Sequence, residues 1–299
     1  MVGCAANCLY CLVTGGDHSG PHIAYKNYAH YLRHKLDSEN GVDHFYYFAP
    51  KTEPFQECTL RTGIAHGVLR EFIQYFKKNP RSQSKVFIIS KAGKDELCYK
   101  HNGDTILDLL KELSGKVTYD TSISVMPAQL YPVLEPKAVT NESRLQAARL
   151  CQEHGISARW ALVQPIILPF TDEAMDQLLK KLKDAQIEVF KPEFLTVSIE
   201  NLAWIAQLAG HFNKNMEKAL YELYINPDNM NNMKHKARLA PNREFSRKTL
   251  MRLKEHADQH GLRMTLCHWV RSELNIAETE VPMITRENWH MKIGVCKPV

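Results

Sequence analysis

Apolar and polar positions recur with two different periods over the first two thirds of the chain, and each period names an element. The segment "FYYFAP" (45–50) is a short aromatic run closed by a proline, which predicts a buried strand. "TGIAHGVLREFIQYF" (62–76) carries apolar residues at helical spacing. "KVFIIS" (85–90) predicts a second strand, residues 104–114 a helix, and "KVTYDTSISV" (116–125) a third strand. "ESRLQAARLCQEHG" (142–155) is an amphipathic helix with Gly155 placed as its C-terminal cap. "SARWALVQPII" (157–167) is a fourth strand and "IEVFKP" (187–192) a fifth. Between them, "TDEAMDQLLKKLKDA" (171–185) is a helix with Thr171 or Asp172 at its N-cap.

Strands and helices that alternate through short connections are the signature of parallel βα units. Such sheets curl into complete or partial barrels, with ligands at the carboxyl ends of the strands. After residue 195 the pattern changes to helices at 198–209 and 212–224 and a polar, basic, Asn- and Met-rich stretch at 225–248. A helix at 246–260, a strand "RMTLCHW" (263–269) and thirty irregular residues follow. The expectation is an α/β core over 1–195 and a helical, mixed C-terminal extension over 196–299 that completes or covers the barrel.

Composition narrows the class without naming a function. The 299 residues are 44% hydrophobic and 24% charged, as in a globular protein with a sizeable core. No run approaches the roughly 18 apolar residues of a membrane span. "MVGC" faintly resembles a lipoprotein cleavage site, but neither a basic segment nor an apolar stretch stands before it. The expectation is a cytoplasmic protein with no membrane partner. A net charge of +5 permits an anionic partner without demanding one. "NNMKHKARLAPNREFSRK" (231–248) gathers Lys234, Lys236, Arg238, Arg243, Arg247 and Lys248 against Glu244, either a phosphate-tracking patch or a solvated loop. His268, Trp269, Trp289 and His290 read as pocket lining or, for the tryptophans, as aromatic core.

Five of the eight cysteines (58, 98, 151, 267, 296) are scattered in apolar or helical contexts, as reduced buried thiols are. The other three, Cys4, Cys8 and Cys11, fall in "GCAANCLYC" with spacing C-x₃-C-x₂-C. Structural zinc wants four ligands, so a zinc reading needs Cys58, Cys98, His18 or His22 as the fourth. Three local thiolates on a 4Fe–4S cluster would instead leave one iron open to an exogenous ligand, which favours a working cluster.

The motif C-x₃-C-x-Tyr-C, ending at Tyr10-Cys11, resembles the signature of the radical S-adenosylmethionine superfamily. "KTEPFQECTLRTG" (51–63), "IISKAG" (88–93), "TSISVMP" (121–127), "LEPKAVTNESRLQAARLCQEHGI" (134–156) and "QPIILPFTD" (164–172) follow in order. Together they resemble the spore photoproduct lyase and DNA-repair-photolyase-like branch over residues 3–172. The resemblance implies a partial parallel barrel and a 4Fe–4S cluster on Cys4, Cys8 and Cys11. It also implies S-adenosylmethionine on the fourth iron, and an external electron donor of the flavodoxin or ferredoxin type. The cofactor would be cleaved to a 5′-deoxyadenosyl radical that takes hydrogen from a substrate, here expected to be a nucleic acid or nucleobase. Alternatives are a small-molecule or peptide substrate, or a non-catalytic metal-binding module.

By the same resemblance Tyr10 lies near the adenine, and Lys91 and Ser124 approach the cofactor. Solvated lysine and a backbone-satisfied strand serine are the other readings of those two. Glu135 and Arg144 would form an ion pair bracing the cofactor pocket, or a surface pair of little consequence. Glu53 stands where the family places an acidic residue, or in a solvated loop. Two features depart from the branch. The family's cysteine hydrogen donor has no counterpart in "FAPKTEP" (48–54), where Cys58 would have to substitute. A barrel strand normally precedes the cysteine loop and only three residues do here, so a missing first strand is expected.

Overall fold

The structure, a computed structural model, describes residues 4–11, 23–39, 41–49, 52–167, 170–230 and 238–283. The chain packs as two compact units, one of residues 1–6, 19–122 and 139–160, the other of 7–18, 123–138 and 161–299. Among the described residues six strands, Phe45–Phe48, Lys85–Ser90, Val117–Val125, Trp160–Ile166, Val189–Phe194 and Arg263–Met264, follow one another in chain order in a partial parallel α/β sheet of the kind the alternation predicts.

The first unit holds β1 (Phe45–Phe48), β2 (Lys85–Ser90), a small antiparallel hairpin of β3 (Lys100–His101) and β4 (Asp104–Thr105), and most of β5 (Val117–Val125). β1, β2 and β5 run parallel, with Tyr47 opposite Phe87, Phe87 opposite Thr118 and Ile89 opposite Asp120. One face of these strands takes the helices. Tyr46 packs its ring against Phe72 and Tyr75 of the helix Ile64–Lys78, at centroid distances of 5.3 and 6.3 Å. Tyr119 turns the same way and donates its hydroxyl to the Ala92 carbonyl at 3.2 Å. That helix buries Ala65, Val68, Leu69, Phe72, Ile73 and Phe76, the stripe read from the sequence.

The helix starts two residues later than its pattern suggests, because Gly63 at φ +70° separates it from the short helix Glu57–Arg61. Gly63 is the residue this corner needs: a Cβ there would fall inside the His101 imidazole. The helix Asn141–Glu153 is capped by Thr140, which accepts from the Ser143 amide at 3.3 Å, and leaves through left-handed Gly155 as expected. The helix Tyr28–Ser38 escaped the pattern because it buries only Leu36.

The second unit holds β6 (Trp160–Ile166) from its second residue on, β7 (Val189–Phe194) and β8 (Arg263–Met264). Its helix Asp172–Asp184 is capped by Thr171, and the helices Ile199–Phe212 and Lys214–Tyr224 pack against each other. The strand expected over 263–269 is corrected: it ends at Met264, and His268 and Trp269 open the helix His268–Glu273. Thr265 still donates to the Phe190 carbonyl at 3.0 Å, but the next return bond would have to come from Pro192, which has no N–H. The chain turns away, and Leu266 donates instead to the Pro282 carbonyl at 3.3 Å. Trp269 is 46% exposed, so the expectation of a core tryptophan fails there. Trp289, His290 and Cys296 lie outside the described residues. No helix among the described residues is long and apolar enough to cross a membrane.

Candidate cofactor site

The cysteine loop is built from short-range geometry. Asn7, at φ +50°, lets the backbone reverse between Cys4 and Cys8, a conformation asparagine tolerates better than most residues. The Cys11 amide donates to the Cys8 carbonyl at 2.9 Å, closing one turn between these two thiols. Two bonds fasten the loop within the second unit: the Leu9 amide donates to the Leu134 carbonyl at 3.0 Å, and the Tyr10 hydroxyl donates to Glu135 Oε1. Tyr10 and Glu135 are both buried. At the Cys4 end, in the first unit, the Ala5 amide donates to Gln56 Oε1 at 2.7 Å. Cys8 is buried, and Cys4 and Cys11 are half-buried.

Three thiols on one tied loop are a donor set that fits a 4Fe–4S cluster in kind and number. Among the described residues no three His, Cys, Asp or Glu side chains gather as the ligands of a single ion do. A cubane cluster does not ask for that convergence, since each thiolate takes a different iron. A zinc site does, with Cys58 or Cys98 as its fourth ligand; His18 and His22 lie outside the described residues. The described cysteines are all free. Cys151 is fully buried and burial pushes its thiol up to about 12, the inert state expected of it. Cys98 is exposed, against the expectation of a buried thiol.

Glu53 does not sit in a solvated loop. Its Oε1 accepts from Ser90 Oγ at 2.6 Å and from the Phe55 amide at 3.1 Å, and its Oε2 accepts from the Lys91 amide at 2.7 Å. The carboxylate thus clamps the carboxyl end of β2, and with it the backbone that carries Lys91. Burial raises its pKa against these bonds and against the nearby Arg144 guanidinium. Arg144 is fully buried and donates from Nε to the Val139 carbonyl at 2.7 Å and from Nη1 to the Ser122 carbonyl at 3.1 Å. It is therefore no surface residue. Glu135 and Arg144 belong to different units, and each holds its own segment. Ser124 is fully buried on β5, and its carbonyl accepts from the Tyr131 hydroxyl at 2.7 Å.

Two residues of β5 carry polar groups that the sequence reading passed over. Asp120 is 1% exposed and Thr118 4% exposed, and neither Asp120 oxygen nor Thr118 Oγ1 has a hydrogen-bond partner among the described residues. Burial raises the Asp120 carboxyl well above the usual range. The signal lay in "KVTYDTSISV", where Thr118, Asp120, Ser122 and Ser124 recur every second position and so line one side of the strand.

No family model matches the chain, and no curated protein does. Solved structures do. Spore photoproduct lyase complexed with dinucleoside spore photoproduct aligns with a TM-score of 0.55 at 14% identity, over 88% of this chain and 74% of that one. A cysteine-to-alanine mutant of the same enzyme with the same ligand aligns with a TM-score of 0.56 at 14% identity, over 88% and 73%. Streptococcus suis SuiB bound to S-adenosylmethionine aligns less well, with a TM-score of 0.45 at 14% identity over 73% and 46%. The chain has the fold of spore photoproduct lyase, the branch that its motifs resemble.

Proposed function

We propose that the chain is a radical S-adenosylmethionine enzyme with a nucleic acid or nucleobase as substrate, doing lyase-like repair or modification. The observation that carries the reading is the triplet Cys4, Cys8 and Cys11 on a loop that Leu9 and Tyr10 tie down, within the fold of spore photoproduct lyase. Bound, a 4Fe–4S cluster would supply one electron for the reductive cleavage of S-adenosylmethionine to methionine and a 5′-deoxyadenosyl radical, which takes hydrogen from the substrate. The chain's own residues do the rest. The three thiolates would hold the cluster, and Tyr10, fixed by Glu135, would keep its ring beside the last of them. Lys91 and Ser124 would contact the cofactor, with the Lys91 backbone held in place through the Glu53 clamp on its amide. Arg144 braces the segments at Ser122 and Val139. The electron comes from an external flavodoxin- or ferredoxin-type donor, and the proposed compartment is the cytoplasm.

Anaerobic reconstitution with iron and sulfide tests the reading. The protein should turn brown, absorb broadly near ~400 nm, and with dithionite convert S-adenosylmethionine to 5′-deoxyadenosine. Cys4→Ala, Cys8→Ala and Cys11→Ala should each lose the colour, and Cys151→Ala should keep it. A colourless protein that binds zinc would replace the enzyme by a structural metal module.

A further inference from the structure

We propose that Asp120 and Thr118 form a hydrogen-bonding site for the edge of a nucleobase, one that presents an N–H donor beside an oxygen or nitrogen acceptor. Strand alternation places both residues on the face of β1, β2 and β5 turned away from the helices of their unit, since Tyr46 and Tyr119 occupy the helix side. Asp120 is level with Ile89, one position before β2 ends at Ser90. It thus stands at the carboxyl end of β1 and β2, where open parallel sheets take their ligands.

Leaving three polar atoms buried and unpartnered is costly, and native interiors seldom do it. Among the described residues no cation acts on Asp120 to keep it ionised, and burial favours its neutral form. A neutral carboxyl offers one O–H donor and one acceptor side by side. That pair complements the amide- or amidine-type edge of a base. On the same face the rings of Tyr47 and Phe87 meet at 5.1 Å, with the buried Phe87 in register with Thr118.

The inference rests on the nucleobase substrate of the proposed function, but its test needs neither cluster nor S-adenosylmethionine. The full chain is titrated calorimetrically with the four deoxynucleosides and with N3-methylthymidine, whose edge is blocked. At least one deoxynucleoside should bind, and the methylated one should not. Asp120→Leu should weaken that binding about tenfold to a hundredfold, the effect of losing a paired contact to a base. Asp120→Asn, whose amide still offers a donor beside an acceptor, should bind within a few-fold of wild type. If Asp120→Leu does not fold, as circular dichroism would show, Thr118→Val takes its place and should weaken binding. No deoxynucleoside bound by wild type at millimolar concentration, or equal binding by folded Asp120→Leu, overturns the proposal. Loss in Asp120→Asn as large as in Asp120→Leu also overturns it, in favour of an ionised carboxylate and a cationic ligand. A protein that is brown and makes deoxyadenosine yet binds no deoxynucleoside sinks this inference and leaves the radical chemistry standing.

Discussion

Asp120 has a cost that pH reveals. In the unfolded chain its carboxyl ionises above about pH 4, whereas burial keeps the folded group neutral to higher pH. The unfolded state therefore sheds the proton first, and wild-type stability falls as pH rises from that point until the folded group ionises too. Glu53 shifts in the same direction and adds to the trend. Asp120→Asn cannot ionise, so its stability should match wild type below about pH 4 and exceed it increasingly towards neutrality. Each kcal/mol gained should raise Tm by roughly 2–4 °C in a chain of this size. Thermal melts of both proteins at acidic and neutral pH check this, and a difference independent of pH would mean the native carboxyl is already ionised. Gaining stability by removing a carboxyl is the trade expected where an unsatisfied group is kept for a ligand.

Among the elements, those with a strong apolar period were legible and those without it were not. β2 coincides with "KVFIIS" because it is buried on both sides, and the helix Asp172–Asp184 sits where its stripe and its Thr171 cap place it. The helix Tyr28–Ser38 has almost no buried face to read. The end of β8 was hidden because its cause, Pro192, sits on a different strand. At the site, the cysteine spacing is local and therefore visible. The burial that makes Asp120 and Arg144 notable depends on strands and helices far along the chain. Where the helices Ile199–Phe212 and Lys214–Tyr224 meet, Gly210 is pressed against Glu217. A methyl group there would lie 2.9 Å from Cδ and 3.1 Å from Cβ of Glu217, and the latter cannot swing aside. Overpacking of this kind costs about 1–3 kcal/mol, of which better helix propensity returns up to about 1. Gly210→Ala should thus lower the urea midpoint modestly, with an unchanged m-value if the fold is kept.

For the whole molecule, the proposed nucleic-acid partner makes a claim about salt. Arg243, Arg247 and Lys248 lie on the helix Arg243–Gln259, where Arg247 already pairs with Glu280 at 2.8 Å, while Lys234 and Lys236 fall outside the described residues. If the segment 231–248 neutralises Z phosphates, log affinity for duplex DNA should fall with log salt at a slope of about −0.9Z. Changing Lys234, Lys236 and Arg238 to Glu should flatten that slope and weaken all sequences alike, because phosphate contacts carry no sequence information. A salt titration of oligonucleotide binding by wild type and triple variant decides it, and salt-independent binding would remove the phosphate mechanism.

The bonds from Leu9 and Tyr10 to residues 134 and 135 bear on what happens between one loading of the cofactor and the next. In a zinc finger the metal orders the chain, so losing the metal is unfolding. Here the segment that carries Cys8 and Cys11 is also fastened by two protein hydrogen bonds, from the Leu9 amide and from the Tyr10 hydroxyl. Under the proposed chemistry, protein stripped of iron by oxygen should regain its brown colour on addition of iron, sulfide and reductant, with no denaturation and refolding step.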